Sequence, residues 1–144
     1  MADNTLIAGT LTSALPFYIS EDCSLADCIH KMEKYKLSQI VITDSNFLMI
    51  GVVSKKQIVK FLLLNRLKRH DIQTHKIKIE TLLNTSKVCV NAYMTTSIAE
   101  IKNIMDALKL EYIPIVKTPW NKVLVGFLSY DRILGALEKT TMLF

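Results

Sequence analysis

The side chains best suited to chemistry in this chain of 144 residues are three histidines, three cysteines and a run of cations. His70 and His75 stand five residues apart, whereas two ligands on one helix face need a spacing of four; His30 lies on a helix flank opposite an apolar stripe, where water hydrates it. No metal centre is expected from them. Cys23, Cys28 and Cys89 are odd in number and form no CxxC pair, which argues against a disulfide framework and a zinc site. Cys28, at an apolar helical position, and Cys89, in a strand-like run, read as buried thiols. No nucleophile has an evident base and orienting group, and there is no glycine-rich phosphate loop, so no catalytic residue is assigned and an enzyme is not expected. Arg66, Lys68, Arg69, His70, His75, Lys76 and Lys78 form a basic stretch that suits nucleic acid or the phosphate tail of a ligand. Aromatic residues do not interleave with it, so it reads as a solvated linker, and nucleic acid is not the expected partner. Trp120, in the turn Pro119-Trp120-Asn121, either folds back onto its own unit or is presented to a partner.

The elements that must position these residues come in duplicate. Ser24-Leu-Ala-Asp27 aligns with Ser97-Ile-Ala-Glu100, and seven of the nineteen positions from Ser24 to Ile42 are identical to their counterparts, where chance gives about one. After a two-residue insertion, Gly51-Val-Val-Ser54 meets Gly126-Phe-Leu-Ser129. Leu25, Cys28, Ile29, Met32 and Tyr35 follow helical spacing, as do Ile98, Ile101, Met105 and Leu108. Ser24 and Ser97 are the predicted N-caps, with Ser97 and Glu100 the better capping box. Strands are predicted at Gln39–Thr43 and Tyr112–Val116, then at Leu48–Ser54 and Val123–Ser129, with turns at Asp44–Asn46 and Lys117–Lys122 between them. A second helix opens at Ser54 and at Ser129. Short strands at Phe17–Ile19 and Val88–Val90 precede the copies, and a short helix at Ile79–Leu83 matches Leu6–Leu11. Each copy therefore reads strand, helix, strand, strand, helix. A unit of this size does not cover both faces of its sheet, so an α/β module of two such units, residues 1–68 and 69–144, packed with pseudo-twofold symmetry is expected.

Half of the residues are hydrophobic and 22% are charged, enough for a real core, and the net charge of +5 permits an anionic ligand without requiring one. No apolar run approaches the ~18 residues that cross a bilayer, and the start of the chain lacks a signal peptide's basic and apolar regions. A cytoplasmic, soluble protein without a membrane partner is expected.

The pattern resembles the cystathionine-beta-synthase (CBS) domain, and the tandem resembles a Bateman module. The resemblance rests on Ile40-Val-Ile-Thr43 with Gly51-Val-Val-Ser54, and on Ile113-Pro-Ile-Val116 with Gly126-Phe-Leu-Ser129. It implies a regulatory module that senses an adenine nucleotide or related adenosyl ligand in clefts between the copies. Its candidates are AMP, ADP, ATP or another adenosyl compound, and no fixed cofactor is implied. The chain leaves no room for an attached enzyme, so regulation would act on a partner in trans. The implied ligand-binding positions are Ile19, Ile40, Val41, Ile42, Ser54 and Gln57 in the first copy, and Tyr93, Ile113, Pro114, Ile115, Ser129 and Arg132 in the second. A serine hydroxyl at a helix N-terminus beside free amides suits a phosphate, and the same residue serves as a plain N-cap. Where the family carries a ribose-binding Asp three residues after this Ser or Thr, the chain has Gln57 and Arg132; Arg132 cannot accept a hydrogen bond. In the first copy Val41 stands where the family prefers proline. These departures support an alternative, a degenerate pair that serves as a dimerising interaction scaffold without nucleotide. Under either reading the apolar run Ile58–Leu64 predicts a homodimer.

Overall fold

Four helices begin at a serine, and each serine hydroxyl accepts a hydrogen bond from the backbone N–H three residues on: Asp27 to Ser24, Gln57 to Ser54, Glu100 to Ser97 and Arg132 to Ser129. The reciprocal bond that completes a capping box is made by Asp27 and by Gln57, so the box closes in the first copy, not at Ser97 and Glu100. In the computed structural model, which describes residues 7–14, 16–83 and 90–141, the chain runs α1 (Ala8–Leu11), β1 (Tyr18–Ser20), α2 (Leu25–Tyr35), β2 (Gln39–Thr43), β3 (Met49–Ser54) and α3 (Lys55–Leu64). Two 3-10 turns follow, Ile72–His75 and Ile79–Leu82, and then β4 (Ala92–Tyr93), α4 (Ile98–Leu108), β5 (Tyr112–Thr118), β6 (Asn121–Ser129) and α5 (Tyr130–Thr141). The α/β architecture of two repeated units is as the sequence predicts.

The ends of α2 and α4 are also duplicated. Lys36 and Lys109, identical in the repeat, adopt the left-handed region at φ 55 and 56. The next N–H, of Leu37 or Leu110, returns to the carbonyl of Met32 or Met105. This is the Schellman termination, with its hydrophobic residue buried or half-buried just beyond. The leading strand lies one residue later than predicted in the first copy. In the second it falls at Ala92–Tyr93; Val88 and Cys89 of the predicted strand lie outside the described residues, as does Leu6 of the predicted first helix. The second hairpin is longer than predicted because Thr118 still pairs with Asn121, leaving Pro119 and Trp120 as a two-residue tip.

Each unit has a three-stranded sheet with the middle strand parallel to the leading strand and antiparallel to the third, β1-β2-β3 and β4-β5-β6. Both ladders shift register at the same place, just after Ile42 and Ile115, which face Gly51 and Gly126. The residues passed over, Ile50 and Val125, are turned out to solvent.

The compact units differ from the sequence copies. One comprises residues 16–89, the other residues 1–15 with 90–144. In the first, the Leu25 N–H donates to the Ile77 carbonyl at 2.7 Å, the Ile79 N–H donates to the Cys23 carbonyl at 2.8 Å, and Ile79 is completely buried. In the second, the Ala8 N–H donates to the Thr96 carbonyl and the Gly9 N–H to the Met94 carbonyl, both at 2.8 Å, and Ala8 joins a core of Ile98, Ile101, Met105, Ile113, Ile115 and Ile133. The short leader of each copy thus completes the unit of the other, because its apolar residues find a groove there; burying one such side chain contributes about 1.5–3 kcal/mol.

Candidate functional site

Each unit brings its implied ligand positions to the junction of strand and second helix. Ile40, Val41 and Ile42, like Ile113, Pro114 and Ile115, occupy the middle strand with their side chains buried within their own unit, and Ile19 is buried on β1. Their side chains act as core. Tyr93 is half-buried; its N–H donates to Thr96 Oγ1 at 2.9 Å, and Lys122 Nζ lies 5.2 Å from its ring centroid. A parallel pair in the first unit sets Lys31 Nζ 4.9 Å from the Tyr18 ring and 2.6 Å from the Tyr18 carbonyl, and partial burial lowers the Lys31 ammonium pKa. Neither lysine was a candidate in the sequence, since each sits on a different element from its tyrosine.

The two junctions differ in charge and in what is already bonded. At the first, the Lys55 N–H donates to the Ser38 carbonyl at 2.8 Å and the Gln57 N–H to Ser54 Oγ. Gln57 itself is engaged: its Oε1 accepts from the Ser54 N–H at 2.8 Å and its Nε2 donates to the Leu82 carbonyl at 3.4 Å. At the second, the Tyr130 N–H donates to the Glu111 carbonyl and the Arg132 N–H to Ser129 Oγ. Arg132 is exposed and makes no ion pair with a described residue. Lys55 and Lys56 follow Ser54 and no acid lies in the first turn of α3, whereas Asp131 lies in the first turn of α5. The positive end of a helix dipole favours an anion at both serines, but only the first junction adds cations without a competing carboxylate.

An apolar groove of about 590 Å³ lies between α2 and α3, lined by Ile29, Met32, Leu37, Ile58, Val59 and Leu62. The Arg69–Glu33 ion pair at 2.7 Å stands at its rim. His30, His70 and His75 all line one smaller polar pocket of about 240 Å³ with Asp27 and Glu33. Proximity does not make it a metal site: among the described residues no three His, Cys, Asp or Glu side chains are arranged to hold an ion.

Cys28 is buried, and loss of hydration pushes its thiol up to about 12. Burial raises the Tyr112 phenol in the same direction. Both groups hold their protons more tightly folded than unfolded, so stability is full below about pH 9 and falls as the pH climbs through 9–12. The urea midpoint is therefore expected to drop between pH 8 and pH 10.5 by the equivalent of about 2 kcal/mol, and Cys28→Ser should remove most of that slope. A pH-independent midpoint would contradict the burial. Cys23 is half-buried, and Cys89 lies outside the described residues.

Comparison with known proteins places this geometry. Residues 9–64 match the CBS domain family. An inosine-5'-monophosphate dehydrogenase of Halalkalibacterium halodurans is 25% identical over 131 residues, covering 91% of this chain but only 24% of that enzyme. The CBS domain pair of protein MJ0100, in complex with 5'-methylthioadenosine and S-adenosyl-L-methionine, superimposes with a TM-score of 0.66 at 15% identity, covering 94% of this chain and 98% of the other. CBSX2 in complex with AMP gives 0.69 at 17% identity over 94% and 98%. At such identities the structures establish the fold, and what they bind is a property of those proteins. Among the described residues no helix is long and apolar enough to cross a membrane.

Proposed function

Starting from a chain that carries a CBS domain and has the fold of a CBS-domain pair, we propose that it is a non-catalytic regulatory module that binds an adenosyl ligand and acts on a partner protein in trans. The ligands of MJ0100 and CBSX2 support the class of compound. The observation that carries the reading to this chain is the first junction, where Ser54 caps α3 beside Lys55 and Lys56 with no acid in the first turn. A phosphorylated ligand is favoured there over the second junction, where Asp131 opposes it. Exposed charges near a helix end contribute about 0.3–1 kcal/mol each, so Lys55→Ala with Lys56→Ala should weaken AMP about 3- to 30-fold while leaving S-adenosylmethionine, which has no phosphate, nearly unchanged. Titration calorimetry with AMP, ADP, ATP, S-adenosylmethionine and cyclic dinucleotides measures this; no heat and no thermal shift with any of them sinks the sensor reading.

A second reading is favoured by a separate observation. Gln57, which stands where a ribose clamp would, is held at both ends of its amide by Ser54 and Leu82. A site that must break those bonds to reach a sugar binds it weakly, and a pair without nucleotide would serve as an interaction scaffold. Both readings include a homodimer through the second helix, supported by the exposure of Val59, Leu63 and Leu64.

A further inference from the structure

The exposed surface of α3 is apolar and basic. Leu63 and Leu64 are 73% and 74% exposed, Val59 is 46% exposed, and the three together with Lys55, Lys56 and Lys60 line a groove of about 770 Å³. Helical geometry sets Val59 and Leu63 in one row with Lys56 and Lys60 beside it. The equivalent surface of α5 has the opposite character. The repeat aligns Lys56 with Asp131, Val59 with Leu134, Lys60 with Gly135 and Leu63 with Glu138. Asp131, Leu134, Gly135 and Glu138 share one stripe, and all but the glycine are exposed. Gly135 is the odd member. Its φ is not positive, and a Cβ placed on it meets no atom within 4 Å. Nothing within the chain requires a glycine in this helix, where alanine is the better former. A glycine on an exposed stripe lets a second helix approach closely.

Two α3 faces set against each other would bring lysine to lysine, and two α5 faces carboxylate to carboxylate. We propose that two molecules associate by setting α3 of one against α5 of the other, with Lys56 and Lys60 facing Asp131 and Glu138, and with Val59 and Leu63 packed over Leu134 and Gly135. The proposal rests on the homodimer of the preceding reading and names its pairing. Like charges across a desolvating contact select against the wrong partner helix, and opposite charges fix the right one.

Sedimentation equilibrium of the intact chain tests it with two charge-reversed variants, Lys56→Glu with Lys60→Glu and Asp131→Lys with Glu138→Lys. Each alone is expected to associate at least about tenfold more weakly than the natural chain, since every α3–α5 contact then pairs like charges. An equimolar mixture of the two pairs opposite charges at every such contact and should recover association to within about threefold, which also shows that both variants are folded. Gly135→Leu, whose added side chain meets nothing in its own unit, should keep or raise the thermal midpoint while weakening association by a similar factor. A natural chain that stays single at about 100 μM overturns both the homodimer and the pairing. A natural dimer with either variant associating normally, or with no recovery on mixing, overturns the pairing alone. Tight association of the lysine variant with the natural chain would show α3 against α3 and overturn it as well.

Discussion

Replacing Ile79 by alanine is expected to destabilise the unit formed by residues 16–89 by about 2–5 kcal/mol, the range for truncating a buried isoleucine. Ile79 opens the leader of the second sequence copy, so a division of the chain into successive copies assigns the loss to residues 69–144. The structure assigns it to the first unit. Ile79 is completely buried there, its N–H is bonded to the Cys23 carbonyl, and the flanking Ile77 carbonyl receives the Leu25 N–H at the start of α2. Loss of the side chain loosens a turn whose backbone anchors the N-terminus of α2 beside its capping box. Amide exchange separates the alternatives: the Leu25 and Ile79 amides should exchange faster by a factor that follows the stability loss, while Ile101 and Met105 in α4 keep their protection. Faster exchange confined to α4 and α5 would show that the leader serves its own copy.

This exchange of leaders marks the limit of what a repeat reveals. The identical residues from Ser24 to Ile42 fixed helix, left-handed lysine cap and middle strand in both copies, because each of those features is specified within a few residues of sequence. Which copy a leader packs against depends on contacts between residues far apart in the chain. Ile79 looks the same in sequence whether it covers one sheet or the other. The candidate site shows the same division. Ser54 and Ser129 were legible as helix starts from their own neighbours. The engagement of Gln57 with the Leu82 carbonyl was not, since that bond spans 25 residues. The convergence of His30, His70 and His75 on one polar pocket was likewise hidden, because the connector that carries two of them folds back along α2. Neither was the basis of the Gly-x-x-Ser motif evident: the glycine reads as family pattern, and its physical cause is a segment that arrives from elsewhere.

That cause predicts unequal penalties at two equivalent positions. Neither Gly51 nor Gly126 has a positive φ, so neither is a glycine for backbone reasons. A Cβ at Gly126 would sit 2.5 Å from Thr12 Cγ2 and 2.6 Å from the Ser13 carbonyl oxygen. Ser13 cannot retreat without cost, because its N–H donates to the Phe127 carbonyl at 2.9 Å and its carbonyl accepts from the Phe127 N–H at 2.8 Å. Gly126→Ala therefore combines overpacking with the loss of one or both bonds, about 2–4 kcal/mol in all. At Gly51 the added Cβ meets only Leu83 Cδ2 at 2.5 Å, with Cγ at 3.8 Å. A leucine end rotates away, so Gly51→Ala should cost at most about 1.5 kcal/mol. Removing the obstructing side chain discriminates further. Leu83→Ala should abolish the penalty of Gly51→Ala, whereas Thr12→Ala should recover only part of that of Gly126→Ala, because the Ser13 carbonyl remains in the way. Double-mutant cycles from urea denaturation give both coupling energies. Full rescue at Gly126 by Thr12→Ala would mean that the backbone approach of Ser13 is not what excludes a side chain there.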